Sequence, residues 1–133
     1  MVSDFPAGLD RSGLDYIMRH NNDVVELERI EGPAALWKVT VSVEGGAPVQ
    51  LLADNGINDI YFQVFVQIDT DHLAEALRAV QPYATVGVVV MNDSLFLRSS
   101  FYMDFSNVHA VSNTLRAVAL AWTAYQQVVA EAA

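Results

Sequence analysis

With 133 residues, 53% of them hydrophobic, and a formal net charge of −9, this chain is long enough for one domain with its own core and too acidic to track a phosphate backbone. Its seven basic residues never cluster, so nucleic acid is not an expected partner, and an acidic surface also opposes adhesion to anionic lipid. The absence of cysteine excludes a disulfide scaffold, a thiolate metal site and a cysteine nucleophile, and it fits a cytoplasmic protein. The carboxylates are unevenly spread: residues 1–75 hold 13 of the 16, whereas residues 76–133 balance three acids against three arginines. A nearly uncharged half rich in Val, Phe, Ala and Leu needs more cover than one small core supplies, and the expected cover is a second protein, first of all a second copy.

The stretch Met1 to Leu14 has neither a basic leader nor an apolar run and is not read as a signal peptide. A first helix is predicted over 9–21, with Leu14, Ile17 and Met18 at helical spacing and Asp10 as cap. From Val24 the period changes to two, placing Val25, Leu27 and Arg29 on one face of a strand that ends at the Gly32 and Pro33 turn. Residues 35–43 alternate Trp37, Val39, Val41 and Val43 against Lys38, Thr40 and Ser42, as a strand with one wet face should. A third strand, Val49 to Ala53, ends at Asp54, Asn55 and Gly56, a sequence suited to a tight reversal, and a fourth runs from Ile57 to Ile68. Asp69 or Thr70 caps a helix over 71–80 with Leu73, Leu77 and Val80 as its buried stripe, and Pro82 stops it. A hairpin follows, 84–91 and 94–105, turning at Asn92 and Asp93. Ser106 or Asn107 then caps a last helix, whose Arg116, Gln126 and Gln127 argue against a membrane span.

Helix, four strands, helix, two strands, helix, joined by short connections, is an α+β domain with an antiparallel sheet in the order α-β-β-β-β-α-β-β-α. In its second half the periodicity leaves no wet side. Val86, Val88 and Val90 alternate with Thr85, Gly87, Val89 and Met91, so this strand is expected to be covered twice. Tyr61, Gln63, Phe65 and Gln67 on the fourth strand, and Phe96, Arg98, Ser100, Tyr102 and Asp104 on the sixth, interleave aromatic with polar side chains in the manner of an interface. The last helix has a core stripe through Val108, Val111, Leu115, Val118, Trp122, Tyr125 and Val129. Beside it runs a stripe of small residues, Ala110, Ala117, Ala121, Ala124 and Val128, along which another backbone can approach. The expected dimer or partner interface is therefore Tyr61, Phe65, Val86, Val88, Val90, Phe96, Tyr102, Ala117, Ala121 and Ala124.

Catalytic and cofactor chemistry is not expected. His20, His72 and His109 stand on separate helices without metal-ligand spacing, and Asp69, Asp71 and His72 read as a capping sequence. The run from Asp54 to Asp59 has the composition of a calcium loop but lacks its glycine and terminal glutamate. No serine sits in a nucleophile-elbow context, and Gly45 with Gly46 does not precede a helix.

The stretch from Leu77 to Trp122 carries a resemblance. A helix ends in Leu77 and Val80; Val86-Gly87-Val88-Val89-Val90 and Asp93-Ser94-Leu95-Phe96-Leu97-Arg98 follow; a closing helix runs through Leu115, Val118 and Trp122. In this it resembles the bacterial YbjN family, whose members resemble type III secretion chaperones in fold. The resemblance implies a small acidic α+β protein that dimerises and holds segments of other proteins, brings no catalytic residues, and, through the family's link with bacterial regulation, makes a signalling protein a candidate client. The alternative expectation is a small-molecule-binding module with a pocket between the sheet and the last helix, lined by Trp37, Phe62, Phe101, Trp122 and Tyr125.

Overall fold

The computed structural model describes residues 9–32, 35–56, 60–104 and 106–132. Helix α1 (Arg11–Arg19) is followed by strands β1 (Val24–Ile30), β2 (Leu36–Val41), β3 (Val49–Asp54) and β4 (Tyr61–Ile68), then α2 (Leu73–Ala79), β5 (Gly87–Met91), β6 (Ser94–Tyr102) and the long α3 (Val108–Ala132). The α+β class and the order of elements are those the sequence predicts. All six strands form one antiparallel sheet in the order β1-β2-β3-β4-β6-β5, so β1 and β5 are its edges.

The local chemistry of the chain explains most boundaries. Asp10 accepts a hydrogen bond from the Gly13 N–H (2.7 Å), capping α1, and the Asn107 side chain accepts from His109 N–H (2.9 Å) at the start of α3. Asp69 caps a 3-10 turn, Thr70–His72, that leads into α2. Asn92 and Asp93 both adopt left-handed backbone angles (φ 52° and 64°), the geometry that a two-residue hairpin turn between twisted strands requires. Gly56 has φ +69° after β3, and an added Cβ would lie 3.2 Å from the Tyr61 ring, so the reversal needs glycine on both counts.

Helix α3 lies across β2, β3, β4 and β6 and also packs on α1 and α2. A single core joins the alternate residues Trp37, Val39, Leu51, Val64 and Leu97 of the sheet to Leu14 and Met18 of α1, Ala76 of α2, and Val111, Leu115 and Val118 of α3. Each fully buried side chain of leucine or valine size contributes roughly 1.5–3 kcal/mol relative to exposure.

Several sequence expectations change. A register shift between Val24 and Glu26 turns Val25 outward (59% exposed), so Val24 rather than Val25 shares the helix-facing side with Leu27 and Arg29. On α2, Ala76 and Ala79 are buried, whereas Leu73 and Leu77 are exposed at 44% and 51%. The small residues let this short helix sit close to its neighbours, which leaves the leucines outside. Strand β5 is an edge rather than a doubly covered strand, and it begins at Gly87, after the buried Val86. Residue Val43 leaves β2 for a 3-10 turn, and Val108 of the expected core stripe is exposed. Pro33, Ile57, Asp59 and Phe105 lie outside the described residues.

One polar arrangement ties α1 to the sheet. Asp15 receives hydrogen bonds from Arg19 Nε (2.7 Å), Arg19 Nη2 (3.3 Å) and the indole N–H of the fully buried Trp37 (3.0 Å). Burial works against ionisation of this carboxyl. The hydrogen bonds from Arg19 and Trp37, with the charges of Arg19 and Arg29, outweigh that and hold its pKa below the ordinary 3.8. A lowered carboxyl pKa adds stability above the ordinary value, and that stability is lost as pH falls through the lowered one. Asp15→Asn is therefore expected to cost about 1–2 kcal/mol in urea unfolding at neutral pH, discounted for the exposed half of the Arg19 pair. The gap from wild type should close once the pH is taken well below 3.8, and a gap independent of pH would show that the carboxylate charge is not what matters.

Candidate functional site

Because all three helices occupy one face of the sheet, its other face carries no described element. The pairing register arranges that face in rows. Tyr61 stands beside Tyr102; Asp54, Gln63 and Ser100 form the next row; Lys38, Leu52, Phe65, Arg98 and Gly87 the next; and Gln67, Phe96 and Val89 another. Phe65 and Phe96 meet edge to face at 5.7 Å between ring centroids. Both are half-buried by their neighbours alone, and Tyr102 is 75% exposed. Strands β4, β5 and β6 together contain one charged residue, Arg98. The β1 side of the same face carries Glu26, Glu28 and Lys38.

A hollow of about 340 Å³ opens here, lined by Tyr61, Gln63, Arg98, Ser100, Phe101 and Tyr102. Its floor is fixed. Gln63 is buried and donates from Nε2 to Asp54 Oδ2 (2.9 Å), while Asp54 Oδ1 accepts from the Gly56 N–H (3.1 Å). Both oxygens of the Asp54 carboxylate are thus engaged, and Arg98 has no ion-pair or side-chain hydrogen-bond partner among the described residues. A larger hollow of about 460 Å³ lies between the end of α1 and the start of α3, and several of its polar groups pair with one another. Asn21 donates to Ser112 Oγ (2.9 Å), Arg116 pairs with Asp23 (3.0 Å), and His20 stacks on Tyr16.

The expected interface residues therefore separate. Tyr61, Phe65, Phe96 and Tyr102 come together on the uncovered face. Val88 and Val90 point to the opposite, helix-bearing side of β5, where Val88 is half-buried and Val90 is 67% exposed. Val86 and Ala121 are buried in the chain's own core and present no surface, because α3 packs on α2 as well as on the sheet and so buries part of the small-residue stripe. Ala117 and Ala124 are partly buried against the same core. Sequence reasoning missed Leu73 and Leu77 as surface residues. The two edges of the sheet also differ. β1 carries a bulge, Glu26, Glu28 and Arg29, whereas β5 (Gly-Val-Val-Val-Met) has no charge, and α2 with its exposed leucines packs beside it.

The rings of the alternative pocket pack as interior. Trp37 and Phe62 are fully buried, with Phe62 5.4 Å from Phe101, and the Tyr125 hydroxyl accepts the Asp69 N–H at 3.2 Å. Asp69 and Asp71 belong to the cap of the 3-10 turn and His72 faces Glu75 (3.7 Å); among the described residues no group of three acidic or histidine side chains is placed to hold a metal ion. No described helix is long and apolar enough to cross a membrane. No family model matches this chain, and no curated protein or solved structure does either.

Adjacent residues of β6 test the two-face description. Leu97→Ala, on the buried face, is expected to cost about 2–5 kcal/mol, and Phe96→Ala, on the uncovered one, about 1 kcal/mol. Denaturant unfolding of both variants checks this; equal losses would mean that the second face is covered as well.

Proposed function

We propose that this chain is a non-enzymatic, homodimeric protein-binding module of YbjN-like, chaperone-like character, in which strand β5 joins two copies and the uncovered sheet face receives a client segment. The observation that carries the reading is the contrast between the two sheet edges. An edge strand presents unpaired N–H and C=O groups, and proteins ordinarily guard it with charges or a bulge. β1 is guarded in both ways and β5 in neither. Leu73 and Leu77 of α2, which packs against β5, and Val90 of β5 itself are exposed and add apolar surface on this side of the sheet. Antiparallel pairing of β5 with its symmetry mate would satisfy the edge and bring the two apolar surfaces together, since a two-fold interface places the same patch on both sides.

The client site follows from the same geometry. Pairing edge to edge leaves the aromatic face free and makes it continuous through both copies. Burial of apolar surface there, and not a chemical step, is the proposed activity. A cytoplasmic signalling protein remains the candidate client class, in keeping with the sequence resemblance.

Light scattering tests the dimer. Wild type is expected to have twice the mass of the chain at micromolar concentration. Val90→Glu combined with Leu77→Glu should give a folded monomer, because both side chains are exposed within one copy. A monomeric wild type, or a double variant that stays dimeric, contradicts the β5 interface.

A further inference from the structure

We propose that the hollow around Arg98 recognises a carboxylate carried by a client segment, an aspartate or glutamate flanked by apolar side chains; this rests on the reading of the uncovered face as the client surface. Arg98 is the one charge on strands β4, β5 and β6, it is half-buried, and it lacks an ion-pair partner among the described residues. A partly desolvated guanidinium without a partner is unfavourable, and the favourable remedy is a planar anion that accepts two of its hydrogen bonds.

Among the described residues no carboxylate pairs with Arg98, so the remedy is one that an incoming group can supply. Asp54, one row away on this face, is held by Gln63 and the Gly56 N–H. On the other side Arg98 pairs in register with Gly87, where even an added Cβ would meet nothing within 4 Å, so an incoming group has room to reach the guanidinium. Ser100 adds a hydroxyl beside it, and the rings of Phe65 and Phe96 seat apolar neighbours of the acid. A single cation near Asp54 suits a monoanionic carboxylate, whereas a phosphate dianion calls for a cluster of basic groups. In a chain of net charge −9, such a contact sets the register and choice of client more than the strength of its binding.

The test titrates the full-length, ¹⁵N-labelled protein with the N-acetylated, C-amidated tripeptide Phe-Glu-Phe and with its Phe-Gln-Phe counterpart. The glutamate peptide is expected to move the amide resonances of β4 and β6 around Arg98 and to bind about fivefold more tightly than the glutamine peptide, the yield of one exposed charge-assisted contact. Arg98→Gln should abolish the difference between the two peptides. Equal affinities on wild type, or a preference that survives Arg98→Gln, overturn the carboxylate proposal and leave the client face standing. Failure of both peptides to move those resonances overturns both readings. Should the variant not fold, the wild-type comparison still decides.

Discussion

A six-stranded antiparallel sheet has two faces to cover, and this chain places all three helices on one of them. The 25-residue α3 enforces the arrangement, because it spans β2 to β6 and gives α1 and α2 a surface to pack on. Once it is seated, Trp37, Phe62, Leu97 and Leu115 are removed from water together, and Asp15 locks α1 over Trp37 through the indole N–H. No described element covers the opposite face. On the β1 side its side chains are charged, and on the β4–β6–β5 side they are aromatic or polar with a single arginine. The uneven charge of the chain thus becomes an uneven surface: several charged side chains at one end of the sheet, and at the other the single charge of Arg98 beside an unguarded edge.

Two distinct features converge on that second region. The β5 edge offers main-chain hydrogen bonding beside the exposed Val90, and the sheet face offers rings around Arg98. They point in perpendicular directions, so occupation of the edge does not obstruct the face. A dimer formed through one would double the other, and a client could then be gripped at two equivalent positions with a gain from avidity that needs no new contact.

Much of this was legible in the residues. β2 and β3 alternate because one of their faces is wet, and the caps Asp10, Asp69 and Asn107 and the turn at Asn92 and Asp93 are local chemistry that the rest of the fold does not override. The aromatic–polar alternation of β4 and β6 singles out Tyr61, Phe65, Phe96 and Tyr102, and the pairing register puts the four on one face of the sheet. What spacing could not tell was rotation and neighbourhood. In α2 the leucines satisfy a helical stripe as well as the alanines do, and only the closeness of its packing decides that Ala76 and Ala79 go in. In β5 apolar residues on both faces fit a central strand and an unguarded edge equally, and strand order separates them. The bulge that turns Val25 outward leaves no mark in the hydrophobic pattern.

The proposed pairing of β5 with a second copy can be decided by amide hydrogen exchange followed residue by residue over a range of protein concentrations. The β5 amides that point away from β6 should exchange more slowly as concentration rises through the micromolar range, while the outward amides of β1 remain unchanged. If the β5 amides exchange as freely as those of β1 at every concentration, the edge is open in solution and the dimer does not form through it.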